Sequence, residues 1–210
     1  MKKVIFILLS LMLFSCASSP ISNSADYKEI AKNHKVIAVL PTNAILEIKS
    51  AVDAEKIKKQ EKIESQNLQK SIYKWLQKGN EKKFITIEIQ NVDETNRILK
   101  ENGVETVIGK SYKDLAQMLN VDAVIVSRVS MAKPLTDAEA FFSSVLTGGL
   151  YFYSSVTTAD ISLYDKNTSK VFWNYNFAYG GTFTSTEKLA DALMKIATKK
   201  FPYKKEVNNN

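Results

Sequence analysis

Five apolar segments of strand length, the first three kept apart by helix-length polar ones, limit what this chain can fold into. Val36-Ile37-Ala38-Val39-Leu40-Pro41 is a continuous apolar run closed by proline, the pattern of a strand buried on both faces. Residues 51–79 follow as a long polar helix. Leu68, Ile72, Trp75 and Leu76 lie on one stripe of it, and Gly79-Asn80 supplies a stop. Its earlier half, 56–66, is mostly charged and is expected to project into solvent. Residues 84–89 alternate as a second strand. Asp93 is expected to cap a helix through Leu99, ended by Asn102-Gly103. A short helix over 111–120 turns Leu115, Met118 and Leu119 inward, and 121–129 reads as the third strand.

The last third of the chain changes period. Ala159, Ile161 and Leu163 alternate on one strand, and Val171, Trp173, Tyr175, Phe177 and Tyr179 on the next. Asp165-Lys166-Asn167-Thr168-Ser169-Lys170 between them has turn composition, so the two strands form a hairpin. Thr186 is expected to cap a final helix with Leu189, Ala192, Leu193, Ile196 and Ala197 on its apolar stripe. The order is β-α-β-α-α-β-β-β-α. Strands joined through helices run parallel by right-handed crossovers, whereas hairpin strands run antiparallel. The expected fold is α/β, a mixed α+β architecture: a single mixed sheet with helices on both faces and no second domain.

The start of the chain carries a separate message. Lys2 and Lys3 precede an apolar run from Val4 to Phe14, broken only by Ser10, and then come Ser15 and Cys16. That run is about half of the roughly 20 residues a membrane-spanning helix needs, and its basic flank fits a secretory signal. Cys16 is the only cysteine in the chain. Leu13-Phe14-Ser15-Cys16 resembles the lipobox of bacterial lipoproteins. The resemblance implies that residues 1–15 are a cleaved signal peptide and that Cys16 is acylated, with palmitate among its chains. A mature chain beginning there has no thiol left for a disulfide or a metal, so packing alone must stabilise it. Residues 16–34 then read as the lipidated cysteine with a flexible tether, 35–204 as the folded domain and 205–210 as a disordered tail. In the sorting rules of such lipoproteins, Ala17 after the cysteine, rather than Asp, implies transfer to the outer membrane facing the periplasm.

Composition agrees with a folded, exported chain: 45% of residues are apolar and 24% charged, too apolar for disorder. The formal charge of +7 falls to +5 once Lys2 and Lys3 are removed with the signal. The excess sits in 56–83 and in Lys199, Lys200, Lys204 and Lys205. Export excludes nucleic acid as a partner and leaves a membrane or another envelope protein.

The segments also resemble, in order and spacing, a family of envelope lipoproteins that includes the curli channel CsgG, the synthase activator LpoB and the TolB amino-terminal domain. The matching pieces are the opening strand 36–41 and the helix 93–103. They continue with the helix-then-strand element 115–125, with its Asp122-Ala123-Val124, and the hairpin from Leu163-Tyr164-Asp165 to Phe172-Trp173. The resemblance implies fold and compartment, and a role in secretion, wall-synthase activation or envelope assembly instead of catalysis.

Catalytic patterns are missing from the sequence. His34 is the only histidine, placed in a polar approach and expected at the surface; no phosphate-binding glycine loop is present. Asp53, Glu55, Asp93 and Glu94 stand where the dipoles of helix starts favour carboxylates. The chain is expected to be non-enzymatic, with no catalytic residue, metal or cofactor. Residues 138–156 stand out instead. They carry no charge after Glu139 and cluster Phe141, Phe142, Val145, Leu146, Leu150, Tyr151, Phe152 and Tyr153. One expectation is that they pack on the domain. The other is a contact for a partner or the bilayer, made by Phe141, Phe142, Leu146, Leu150, Tyr151, Phe152 and Tyr153. The expected function is an outer-membrane-anchored periplasmic lipoprotein binding another envelope protein as an assembly, secretion-accessory or regulatory factor. The alternative is a CsgG-like secretion lipoprotein that forms a homo-oligomeric ring.

Overall fold

The computed structural model describes residues 21–48, 53–133, 156–179 and 185–205. They form one mixed sheet of seven strands with five helices. In chain order these are β1 (Ile21–Asn23), α1 (Tyr27–Lys32), β2 (Val36–Val39), β3 (Asn43–Ile48) and α2 (Ala54–Glu81). Then come β4 (Glu88–Ile89), α3 (Val92–Glu101), α4 (Tyr112–Met118), β5 (Ala123–Lys133), β6 (Val156–Asp165), β7 (Val171–Tyr179) and α5 (Thr186–Ala197). A 3₁₀ turn, Thr198–Lys200, follows α5. The strand order is β1-β7-β6-β5-β2-β4, with β3 pairing β5 beside β2. As expected, β2 is parallel to both β4 and β5, whereas β5, β6 and β7 form an antiparallel meander.

Alternation along β2 and β5 divides the interior into two cores. Ile37, Val39 and Ile125 join Ile161, Leu163, Trp173 and Tyr175 under α2 and α5. Ala38, Leu40 and Val124 face the other way and pack with Leu99 of α3 and with Leu115, Ala116 and Leu119 of and after α4. Helices therefore cover both faces, and the continuous apolar run at 36–41 is the direct consequence of burial on two sides. Leu68, Ile72 and Leu76 of α2 are fully buried, each contributing about 1.5–3 kcal/mol of hydrophobic stabilisation.

Several local expectations need correction. The first strand does stop short of Pro41, at Val39, but a further strand follows that was not expected. Val39 pairs with Ile125 and Asn43 with Arg128, so the chain takes four steps against three across Leu40-Pro41-Thr42 and then rejoins the ladder as β3. Proline has no amide to give a ladder, and it sits in this break between the two strands. The tether is shorter than 16–34, because Ile21–Asn23 adds to the edge of β7 and Tyr27–Lys32 is helical. The second strand shrinks to Glu88–Ile89, although Ile85 and Ile87 remain core residues and Ile85 bridges Lys204. Gly79 lies inside α2; a Cβ there would stand 2.6 Å from Ile85 Cδ1, so its small size lets the next segment pass close by. The helix caps are Asn91 and Ser185, not Asp93 and Thr186: each accepts from an amide in the following turn. A register shift at Leu163/Tyr164 turns Val171 outward, whereas Trp173, Tyr175 and Phe177 hold the expected inner face.

Candidate functional site

Three stretches outside the described residues adjoin one end of the sheet. Ile48 pairs with Lys133, Ala132 with Val156, and Thr157 with Tyr179, so 49–52, 134–155 and 180–184 all leave from or return to that end. The candidate contact residues Phe141, Phe142, Leu146, Leu150, Tyr151, Phe152 and Tyr153 belong to the second of these and lie outside the described residues, as does Cys16.

At the opposite end the structure brings together residues that the sequence kept far apart. His34 is buried, not at the surface: its side chain and that of Asp165 are 2% and 3% exposed. Asp165 Oδ1 lies 2.8 Å from His34 Nε2, and Tyr203 Oη lies 2.6 Å from Nδ1. Phe172 covers the ring edge-on at 5.5 Å. An ionised Asp165 accepts the Nε2 proton, which leaves Nδ1 to accept from the Tyr203 hydroxyl. Burial opposes ionisation of Asp165, but the Thr168 amide and the His34 ring outweigh it and hold the carboxyl below its ordinary range. Tyr203 is pushed well above the ordinary tyrosine value by burial, then by Asp165 and Asp122. The trio joins the end of α1, the β6–β7 turn and the carboxy-terminal segment. All three side chains are buried, and together they pin these three segments to one another.

Asp122 works beside it. Its Oδ2 accepts from the Lys35 and Val36 amides at 2.7 and 3.1 Å, and Lys166 Nζ stands 3.2 Å from Oδ1. Desolvation resists, but these three partners hold its carboxyl below the ordinary range. This aspartate locks the start of β5 to the start of β2, which explains an aspartate before the Ala123-Val124 strand.

Helix α2 hides a second polar cluster where solvent exposure was expected. Gln60, Glu64 and Gln69 are buried. Gln60 donates to Glu64 Oε1 at 2.7 Å and Thr186 to Oε2 at 3.0 Å. Burial raises the Glu64 carboxyl above its ordinary value, with Thr186 and Gln60 partly opposing. Gln69 reaches Val39 O at 2.8 Å and exchanges hydrogen bonds with Asn96. A third network lines the sheet face opposite α2: Asn174 donates to Asp160 Oδ2 at 2.7 Å and to Ser162 Oγ at 2.8 Å. Its sequence signal was the polar alternation Asp160, Ser162, Asn174, Asn176. Among the described residues, no group of three His, Cys, Asp or Glu is arranged to hold a metal ion.

No family model matches the chain, and no curated protein sequence does. Solved structures similar to it include the LpoB carboxy-terminal domain of Salmonella enterica, at 10% identity and a TM-score of 0.37, covering 73% of this chain and 94% of that one. Another is lipoprotein GNA1162 of Neisseria meningitidis, at 15% identity and 0.42, covering 79% and 96%. A third is the PelC dodecamer of Paraburkholderia phytofirmans, at 14% and 0.41, covering 89% and 98%. Likeness at this level carries no argument about function.

Proposed function

We propose that the chain is an outer-membrane lipoprotein, anchored through Cys16 and facing the periplasm, that binds another envelope protein as an assembly, secretion-accessory or regulatory factor. The observation that carries the reading is the pairing of Ala132 with Val156. A hairpin between strands so paired needs a loop of about 2–5 residues. Residues 134–155 are far longer, and rich in phenylalanine and tyrosine. Their length serves a purpose other than connection, and Phe141, Phe142, Leu146, Leu150, Tyr151, Phe152 and Tyr153 are the residues assigned to the contact. Binding is favoured over catalysis because the single histidine is enclosed by Asp165, Tyr203 and Phe172.

The test is crosslinking in cells followed by co-purification, comparing wild type with Phe142→Asp. The expected result is a discrete partner that the variant captures at least several-fold less well, with an unchanged melting temperature. A variant that melts several degrees lower would place Phe142 in a core and sink the contact. The ring-forming channel is separated by detergent-corrected light scattering, where a discrete high-order oligomer of the lipidated protein would replace the partner-binding reading.

A further inference from the structure

The outermost strands of the sheet are short. β1 has three residues and β4 two, lengths that give another chain little to pair with. β3 differs: it has six residues, and β5 is its single strand partner among the described residues. Two amides show which of its groups face away from β5. Ala44 N donates to Thr42 O at 3.0 Å and Leu46 N donates to Glu61 Oε1 at 3.0 Å, so neither joins the ladder to β5. A strand residue turns its amide and its carbonyl to the same side. The Ala44 and Leu46 carbonyls therefore face outward as well, and Ile48, two residues on, presents the same pair of groups.

These outward carbonyls are short of donors. Ala44 and Leu46 are 7% and 8% exposed, and among the described residues nothing donates to either carbonyl outside the ladder. Earlier along the same edge the Val39 carbonyl is served: Gln69 of α2 donates to it at 2.8 Å. Glu61 cannot do the same for β3, because an ionised carboxylate only accepts. Helix α2 thus closes the Leu46 amide and leaves the carbonyls beside it open. A nearly buried carbonyl without a donor calls for one. Amides and carbonyls spaced two residues apart along an edge are what another strand supplies.

β3 is complementary to itself in this respect. An antiparallel copy, related by a two-fold axis at Leu46, lets each Leu46 exchange both backbone bonds with the other, and lets Ala44 pair with Ile48 of the copy. Glu47 is the single charge of the strand. In this register it falls opposite the half-exposed Ile45 of the copy and not opposite another Glu47, so no like charges face each other.

We infer that the outer edge of β3 docks the same edge of a second copy of this chain, with Glu61 giving up the Leu46 amide to the carbonyl of the copy. The contact depends neither on a lipid at Cys16 nor on residues 134–155.

The experiment uses the chain from residue 16 onward carrying Cys16→Ser, which contains every described element and no thiol. Sedimentation equilibrium is expected to show monomer and dimer in exchange. Glu61→Ala frees the Leu46 amide for the copy and should tighten the dimer at least threefold. Ile45→Cys and Glu47→Cys are then introduced together. Across the axis they form pairs without hydrogen bonds between them, with Cα atoms about 4.5 Å apart, a distance that a disulfide spans. Mild oxidation should join two chains at least tenfold faster than in a control with Asn167→Cys and Lys170→Cys, both exposed in the β6–β7 turn. Circular dichroism melts check folding, and if Glu61→Ala fails to fold the crosslinking decides. A monomer both with and without Glu61→Ala overturns the inference and leaves the edge to another protein. So does equal crosslinking of the two cysteine pairs, which marks random collision. Weaker association of a folded Glu61→Ala overturns it too, as does assembly beyond a dimer, which a closed two-fold contact does not build.

Discussion

Replacing Asp165 by Asn tests the His34 pin in a way that packing alone cannot mimic. Wild-type Asp165 accepts from His34 Nε2 at 2.8 Å through one oxygen and from the Thr168 amide through the other. An Asn has a single acceptor oxygen, so one donor meets an NH₂ group. His34 can relieve the clash by moving its proton to Nδ1, but Nδ1 then donates to Tyr203, whose own buried hydroxyl proton loses its acceptor. One unsatisfied donor persists either way, costing about 1–3 kcal/mol, together with the advantage of bonds to an ionised acceptor. We expect Asp165→Asn to lose about 2–3 kcal/mol at pH 7, measured by urea unfolding. The pH dependence has a definite sign. The folded carboxyl lies below its ordinary value of 3.8, so its contribution is present above that pH and lost as the pH falls through the folded value. The gap between wild type and variant should be full at pH 7, hold to about pH 5 and then narrow. A loss under about 0.5 kcal/mol at pH 7, with stability curves that stay parallel well below pH 3.8, would refute the reasoning.

Other outcomes follow from neighbouring sites. Glu64→Gln should behave oppositely, stabilising by about 1 kcal/mol at pH 7. Burial raises Glu64 above 4.5, so wild type loses stability as the pH rises from that value, and Gln can still accept from Gln60 and donate to Thr186. Destabilisation at pH 7 would contradict this. Trp173→Ala should cost about 3–5 kcal/mol, because the side chain is fully buried, meets Phe201 edge-on at 5.2 Å and donates to Lys200 O. A melting temperature within a degree of wild type would remove Trp173 from the core.

The main strands and helices could be read because their signals are local. The run at 36–41 announced burial on two faces, the stripe Leu68-Ile72-Leu76 announced one face of α2, and the alternation on either side of 165–170 announced the hairpin. The errors share a cause: contacts distant in sequence. Ile21–Asn23 looks like a tether until β7 supplies its partner, and Glu64 looks solvated until Thr186 arrives above it. His34 has no local mark of burial, since Asp165 and Tyr203 lie 131 and 169 residues away in sequence. Pro41 marks a stop as the general rule says, but β3 beyond it is placed by its distant partner β5, which continues past the break.

The account stands most directly on Cys16. Cells expressing wild type or Cys16→Ser should be labelled with a palmitate analogue, separated into membrane and soluble fractions, and probed for the protein. The account predicts labelled wild type in the outer membrane, and a variant that carries no label and keeps its uncleaved signal or leaves the outer-membrane fraction. Identical fractionation of the two proteins, with no label on wild type, would contradict it.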